Sequence, residues 1–197
     1  MKIIKILMIM ILLMGVAGCG KTEEKTEEKK EETVAENQVI HCEITVQDYG
    51  TMKLELYPDI APVTVENFVK LVKSGFYTDN RFHRIIDGFM IQGGMDASGS
   101  AQRIYGEFEA NGFDNPLKHT EGVISMARAK DPDSASSQFF IMVGDADWLD
   151  GQYAAFGKVV EGYEIAQKIA ADARPTDNNG SIAEGDQPII ESIVIVE

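Results

Sequence analysis

The sequence predicts a mainly β domain: a closed antiparallel barrel or sandwich with helices over its open ends. Three observations lead there. Many short segments alternate apolar and polar residues, only two stretches carry a helical stripe, and strands do not alternate regularly with helices. No internal repeat is present. A hydrophobic content of 44% in 197 residues suffices for one packed core plus attachments.

The N-terminal segment stands apart from this pattern. Met1-Lys2-Ile3-Ile4-Lys5 carries two positive charges, Ile6 to Met14 is an unbroken apolar run, and Val16-Ala17-Gly18-Cys19 follows. A basic start, a short apolar stretch and small residues read as a secretory signal, too short for an ordinary membrane span. It resembles a bacterial lipoprotein signal, which implies removal of residues 1–18 and lipidation of Cys19. An uncleaved anchor helix is the alternative, and both readings place the protein at the outer face of a cell membrane. Cleavage takes Lys2 and Lys5 away, leaving 16 basic against 32 acidic residues. That balance argues against nucleic acid, whose phosphates need a cationic footprint, and against electrostatic adhesion to anionic lipid. A lipid anchor would then be the sole membrane attachment.

Residues 20–37 repeat Lys, Thr and Glu loosely, with Val34 and Ala35 as their only apolar side chains. Such a segment cannot bury a face, so it reads as a disordered or transiently helical linker, spanning on the order of 25 Å as a coil. The folded domain is expected over residues 38–197. Val39–Val46 and Thr51–Leu56 alternate around Asp48-Tyr49-Gly50 and predict a hairpin. Cys42 lies on the apolar side of its first strand. With Cys19 lipidated, no intramolecular disulfide is available, and Cys42 reads as a buried inert thiol.

Pro62 to Gly75 predicts a helix with Val65, Phe68, Val69 and Val72 as its apolar stripe, Pro62 in the first turn and Gly75 as the stop. Residues 95–121 are rich in Gly, Asp, Asn and Ser and predict a long functional or well-packed loop. Residues 122–127 and 138–143 predict central strands around the turn Asp131-Pro132-Asp133-Ser134, and 154–160 a further strand. Gly162 to Ala171 predicts the second helix, with Ile165, Ala166, Ile169 and Ala170 inward. A loose segment containing Asn178-Asn179-Gly180 leads to a last strand, 189–196, expected to pair with the first and remove its edge.

The chemistry concentrates between Phe82 and Gly94. Asp87-Gly88 is a tight-turn signal, so Arg84 and Gln92 fall on two short strands of one hairpin. Strict alternation beyond the turn places Met90 and Gln92 on one face, Phe89 and Ile91 on the other. A donor-rich cation beside apolar side chains, without a base or a nucleophile, suits binding and polarising a neutral group; a plain hairpin with a solvated arginine is the alternative. His41, His83 and His119 are scattered and lack partners at zinc spacing. Asp131-Pro132-Asp133 and Asp145-Ala146-Asp147 lack a full calcium loop and read as acidic turns.

The stretch Phe82-His83-Arg84-Ile85-Ile86 … Gly88-Phe89-Met90-Ile91-Gln92-Gly93-Gly94 is similar to the signature of the cyclophilins, the cyclosporin-binding peptidyl-prolyl cis-trans isomerases. Gly122–Ala127, Ser137–Ile141, Trp148-Leu149-Asp150-Gly151 and Phe156–Val159 follow in the family's order. The resemblance spans residues 38–197 and implies a closed eight-stranded antiparallel barrel with two capping helices and an external groove. It implies catalysis by Arg84 with Gln92 and Phe89, and a proline pocket of Phe89, Met90, Phe140 and Leu149. Ala127, Arg128 and Ala129 match the edge that takes the peptide backbone, and Gln138 and Trp148 match groove residues. Phe139 alternates away from Phe140 and reads as core. Two positions depart from the family's commonest pattern: Tyr153 replaces a histidine, and Arg128 replaces an asparagine, a change expected to alter preference more than rate.

The resemblance thus implies a monomeric isomerase acting on proline-containing polypeptides, without metal or other cofactor, inhibited by cyclosporin-type molecules. With the leader, it implies assistance to the folding of exported proteins. Two other classes compete. A proline-peptide-binding chaperone would use the same groove with little turnover. A solute-binding lipoprotein of a transporter suits the leader but would need two lobes and βαβ alternation, which the domain lacks.

Overall fold

The computed structural model describes residues 39–196. The expected signal over 1–18, the lipidated Cys19 and the linker over 20–37 lie outside the described residues. Among the described residues the fold is mainly β, with nine strands and two α-helices. The strands are β1 (Ile40–Val46), β2 (Gly50–Leu56), β3 (Asn80–Arg81), β4 (Arg84–Ile86), β5 (Met90–Gly93), β6 (Val123–Met126), β7 (Phe139–Met142), β8 (Ala155–Glu161) and β9 (Ile189–Val196). The helices are α1 (Pro62–Lys73) and α2 (Tyr163–Asp172). No helix among the described residues is long and apolar enough to cross a membrane.

One antiparallel sheet runs in the order β3-β9-β1-β2-β8-β6-β7-β5-β4. The last strand does cover the first, with Ile44 opposite Ile193 and Cys42 opposite Ile195. Two expectations are corrected: the strands number nine rather than eight, and their ladder does not close. Its two ends, β3 and β4, are two and three residues long. They belong to one continuous stretch, joined by Phe82-His83, and no ladder pairs them with each other. Instead the free edge of β4 bonds to the irregular segment before β9: Ile85 donates to the Gly180 carbonyl at 2.8 Å and Ile182 to the His83 carbonyl at 3.0 Å.

Alternation sets the core. Cys42, Ile44, Met52, Leu54 and Leu56 point inward with α1 residues Val65 and Phe68, all at most 1% exposed. Phe68 sits among aromatic rings, with centroids 5.2 Å from Tyr77, 5.6 Å from Phe139 and 5.2 Å from Phe156. Each such buried ring or aliphatic chain contributes about 1.5–3 kcal/mol through burial. Burial also pushes the Cys42 thiol up to about 12, in keeping with an inert side chain.

α1 begins with Pro62 as the pattern predicts, but Ala61 offers no side-chain cap. The cap comes from far along the chain. The fully buried Glu107 accepts from the Val63 N–H at 2.9 Å and the Thr64 N–H at 2.8 Å. A carboxylate on the unpaired amides of a first helical turn satisfies them and suits the helix dipole. The 95–121 loop is therefore fastened to the core from within.

A second, smaller apolar cluster lies apart from the main core. It comprises Met90, Val123, Phe140, Met142, Ala146, Leu149 and Ala155, with Phe89, Ala127 and Tyr153 against it. Phe139 and Phe140, adjacent on β7, divide between the two: Phe139 joins the main core and Phe140 this outer cluster.

Candidate active site

Over the outer cluster opens a hollow of about 190 Å³ lined by Arg84, Phe89, Met90, Gln92, Ala127, Arg128, Phe140, Leu149 and Tyr153. Nine expected site residues therefore meet in one place. Ala129 and Gln138 line an adjoining hollow, which shares Gln92, Ala127 and Arg128 with the first. Trp148 stands at the rim, 64% exposed, its ring 5.8 Å from that of Phe89. Cys19 lies outside the described residues. Phe89 corrects the strict alternation: it sits in the turn before β5, so the strand period does not govern it, and it shares the hollow with Met90.

The cation is held from several sides. β4 and β5 pair Arg84 directly opposite Gln92, which brings the two side chains to the same face. Arg84 Nη1 donates to Gln92 Oε1 at 3.1 Å and lies 3.7 Å from Met90 Sδ. Gln92 Nε2 donates in turn to Gln138 Oε1 at 2.9 Å. Arg84 Nε donates to the Asn179 carbonyl at 2.7 Å. Among the described residues no carboxylate forms an ion pair with Arg84, so its charge faces only neutral acceptors.

Asn179 belongs to the segment that the sequence pattern reads as loose, yet its turn is strongly bound. Asp177 Oδ1 accepts from the Asn179 and Ser181 amides at 2.9 and 3.0 Å, and Oδ2 from Ser181 Oγ at 2.8 Å. Gly180 adopts φ +85°, and a Cβ there would come within 2.6 Å of the Ile85 carbonyl oxygen. Asn-Gly is a sequence pair that favours a turn, but its closeness to Arg84 has no local signal, because 95 residues separate the partners.

Behind the hollow lies a second unexpected group. His119 is buried, its ring stacked at 6.0 Å on Phe140. Its Nδ1 is 3.1 Å from Asp150 Oδ1 and its Nε2 3.0 Å from Ser125 Oγ, while its backbone N–H donates to Asp150 Oδ1 at 2.8 Å. Ser125 is fully buried, so this chain of bonds supports the pocket wall rather than attacking a substrate. Burial pushes the His119 pKa below its ordinary 6.5, against the opposing pull of Asp150. Burial acts upward on Asp150, but the His119 amide and ring outweigh it and hold the carboxyl below its ordinary 3.8.

A histidine depressed in the folded state leaves stability intact above 6.5 and erodes it as pH falls below, because the unfolded chain takes the proton first. Asp150 adds an acid-side loss at lower pH in the same direction. An NMR titration of the His119 ring is expected to show a midpoint below 6.5. A midpoint at or above that value would contradict the buried, neutral ring.

The open edge beside the hollow is backbone. Ala127 donates to the Gln138 carbonyl at 2.9 Å and Ala129 to Ser134 Oγ at 2.9 Å. Between them, the Arg128 amide and the Ala127 carbonyl take no hydrogen bond from the described residues. Such an edge can accept an extended peptide. Among the described residues no three His, Cys, Asp or Glu side chains group to hold a metal.

With fold and hollow in view, comparison with known proteins defines the class. Residues 41–197 match the family model of the cyclophilin type peptidyl-prolyl cis-trans isomerases. The chain belongs to this family. It is 50% identical over 126 residues to peptidyl-prolyl cis-trans isomerase A of Dickeya dadantii, covering 61% of this chain and 66% of that protein. It is 37% identical over 158 residues to isomerase B of Escherichia coli, covering 76% of this chain and 96% of that one. Among solved structures, a Cryptosporidium parvum cyclophilin type isomerase determined in the presence of the dipeptide Ala-Pro has a TM-score of 0.66 at 30% identity, covering 80% of this chain and 99% of its own.

Proposed function

We propose that this chain is a lipid-anchored, extracytoplasmic peptidyl-prolyl cis-trans isomerase that speeds X–Pro rotation in exported polypeptides and so assists their folding. One observation carries the reading: a guanidinium that pairs with no carboxylate of the described residues is fastened beside a hollow over an apolar cluster, and that hollow adjoins an open backbone edge. The family match and the structure of a relative determined in the presence of the dipeptide Ala-Pro support the same substrate class.

The chemistry asks for little else. Rotation about X–Pro faces a barrier of about 20 kcal/mol and breaks no covalent bond. As the amide twists, the prolyl nitrogen loses conjugation and gains a lone pair. A donor aimed there binds the twisted state better than either planar state, and that difference accelerates the step. Arg84 supplies the donor, because it stays charged and presents its N–H groups in a fixed plane. Gln92 and the Asn179 carbonyl orient it. Phe89, Met90, Phe140 and Leu149 grip the proline ring, while the 127–129 edge, with Gln138 beside it, holds the chain before the proline. Tyr153 closes the pocket wall against Phe140, with ring centroids 5.9 Å apart. Trp148 at the rim offers an indole N–H to a cyclosporin-type inhibitor.

Exchange NMR on a short proline peptide tests the reading. Substoichiometric protein is expected to accelerate cis-trans exchange and to lose that effect with cyclosporin. Binding of the peptide without acceleration would favour the proline-peptide chaperone instead. The anchor rests on Cys19 and its leader alone: the chain is expected to fractionate with membranes as a monomer, and Cys19→Ala to abolish lipid labelling. Labelling that persisted in this variant would refute the assignment.

A further inference from the structure

Arg128 and Tyr153, the two groove positions that depart from the family's commonest residues, touch each other. The Arg128 guanidinium carbon lies 4.7 Å from the Tyr153 ring centroid and 4.9 Å from that of Phe108. Its Nε donates to the Gln152 carbonyl and its Nη1 to the Ala129 carbonyl, both at 3.0 Å. Two aromatic rings and two carbonyls thus hold a side chain that would otherwise sweep through solvent. The cation is built in.

Its surroundings leave the charge uncompensated. Among the described residues no ion pair includes Arg128. The acids of the neighbouring turn are engaged elsewhere: Asp131 pairs with Arg103 at 3.2 Å, and Asp133 accepts from the Gly106 amide at 3.0 Å and Asn111 Nδ2 at 2.9 Å. Lys130 follows in sequence, and Arg84 lines the same hollow as Arg128. A cationic spot therefore sits in the groove of a chain whose net charge is −14. Arg128 also lines both hollows, the one beside Arg84 and the one toward Ser134 and Gln138. A peptide whose proline fills the first, with its preceding residues along the 127–129 edge as proposed above, carries those residues past this side chain.

We propose that Arg128 makes the site select X–Pro segments that carry Asp or Glu immediately before the proline. The proposal rests on the isomerase reading and names its substrate class. A carboxylate several ångströms from a held cation in a half-wet groove gains, and an ammonium loses, a factor that together amounts to about three- to tenfold between Glu-Pro and Lys-Pro. The protein's overall negative charge works against acidic peptides at long range, but salt screens that field more than the local contact.

The test uses the full-length protein in detergent and three peptides that differ only in Glu, Ala or Lys before proline. The expected order of kcat/KM is Glu, Ala, Lys, with a Glu-to-Lys ratio of about three to ten at moderate salt, narrowing at high salt. In Arg128→Gln the ratio is expected to fall to within about twofold of unity, whatever happens to the absolute rates. A wild-type ratio near one, or a ratio unchanged in Arg128→Gln, would overturn the proposal. Failure of all three peptides to turn over would count against the isomerase reading. The same ratios read from peptide dissociation constants would then decide the charge preference separately.

Discussion

Arg84→Ala is expected to lower kcat/KM on a proline peptide about 10²- to 10³-fold, a loss of about 2–4 kcal/mol of transition-state stabilisation. The size follows from what the guanidinium meets. In the planar amide the prolyl nitrogen has no lone pair to offer, so Arg84 gains little from the resting substrate; the interaction appears as the bond twists. An interaction made only in the transition state lowers kcat and kcat/KM together and leaves ground-state binding nearly untouched. Arg84→Lys keeps the charge but loses the planar fork that Gln92 Oε1 and the Asn179 carbonyl hold at 3.1 and 2.7 Å, so only part of the activity should return.

Gly180→Ala is expected to have the second largest effect, although it removes no functional group. The residue sits at φ +85°, and an added Cβ would lie 2.5 Å from Ile86 Cγ1 and 2.6 Å from the Ile85 carbonyl oxygen. Neither neighbour can move freely, since both belong to the strand that carries Arg84. The turn must shift instead, taking with it the Asn179 carbonyl that anchors Arg84 Nε. A cost of about 1–3 kcal/mol in stability is expected from the strained backbone, with kcat/KM down about tenfold through the displaced guanidinium. Gly185→Ala is the control, because a Cβ there meets nothing within 4 Å. Measured side by side, equal activity in the two variants would show that the turn does not position the cation.

The parts legible in the sequence were those carried by short-range pattern. The β1–β2 hairpin, α1 with Pro62 in its first turn, and the assignment of Phe139 to the core all follow from periods of two or 3.6 residues. The family resemblance named nine pocket residues that meet in one place. Arg84, Met90, Gln92 and Phe140 lie on β4, β5 and β7, and the other five outside the strands. What escaped was built across long separations. The Glu107 cap on α1 joins residues 44 apart, and the Asn179 anchor joins residues 95 apart. The strand count failed for a related reason: β3 is only two residues long, too short for any periodicity, and exists because β9 lies alongside it. The Arg128–Tyr153 contact could have been suspected, since both positions depart from the family's pattern, but only the fold brings their side chains together.

The most direct measurement takes kcat/KM and the dissociation constant of one proline peptide on the wild-type chain and on Arg84→Ala. The expected result is a collapse of kcat/KM of about 10²-fold or more while the dissociation constant changes less than about threefold. Activity within twofold of wild type, or equal losses in binding and in rate, would show that the guanidinium does not act on the twisted bond.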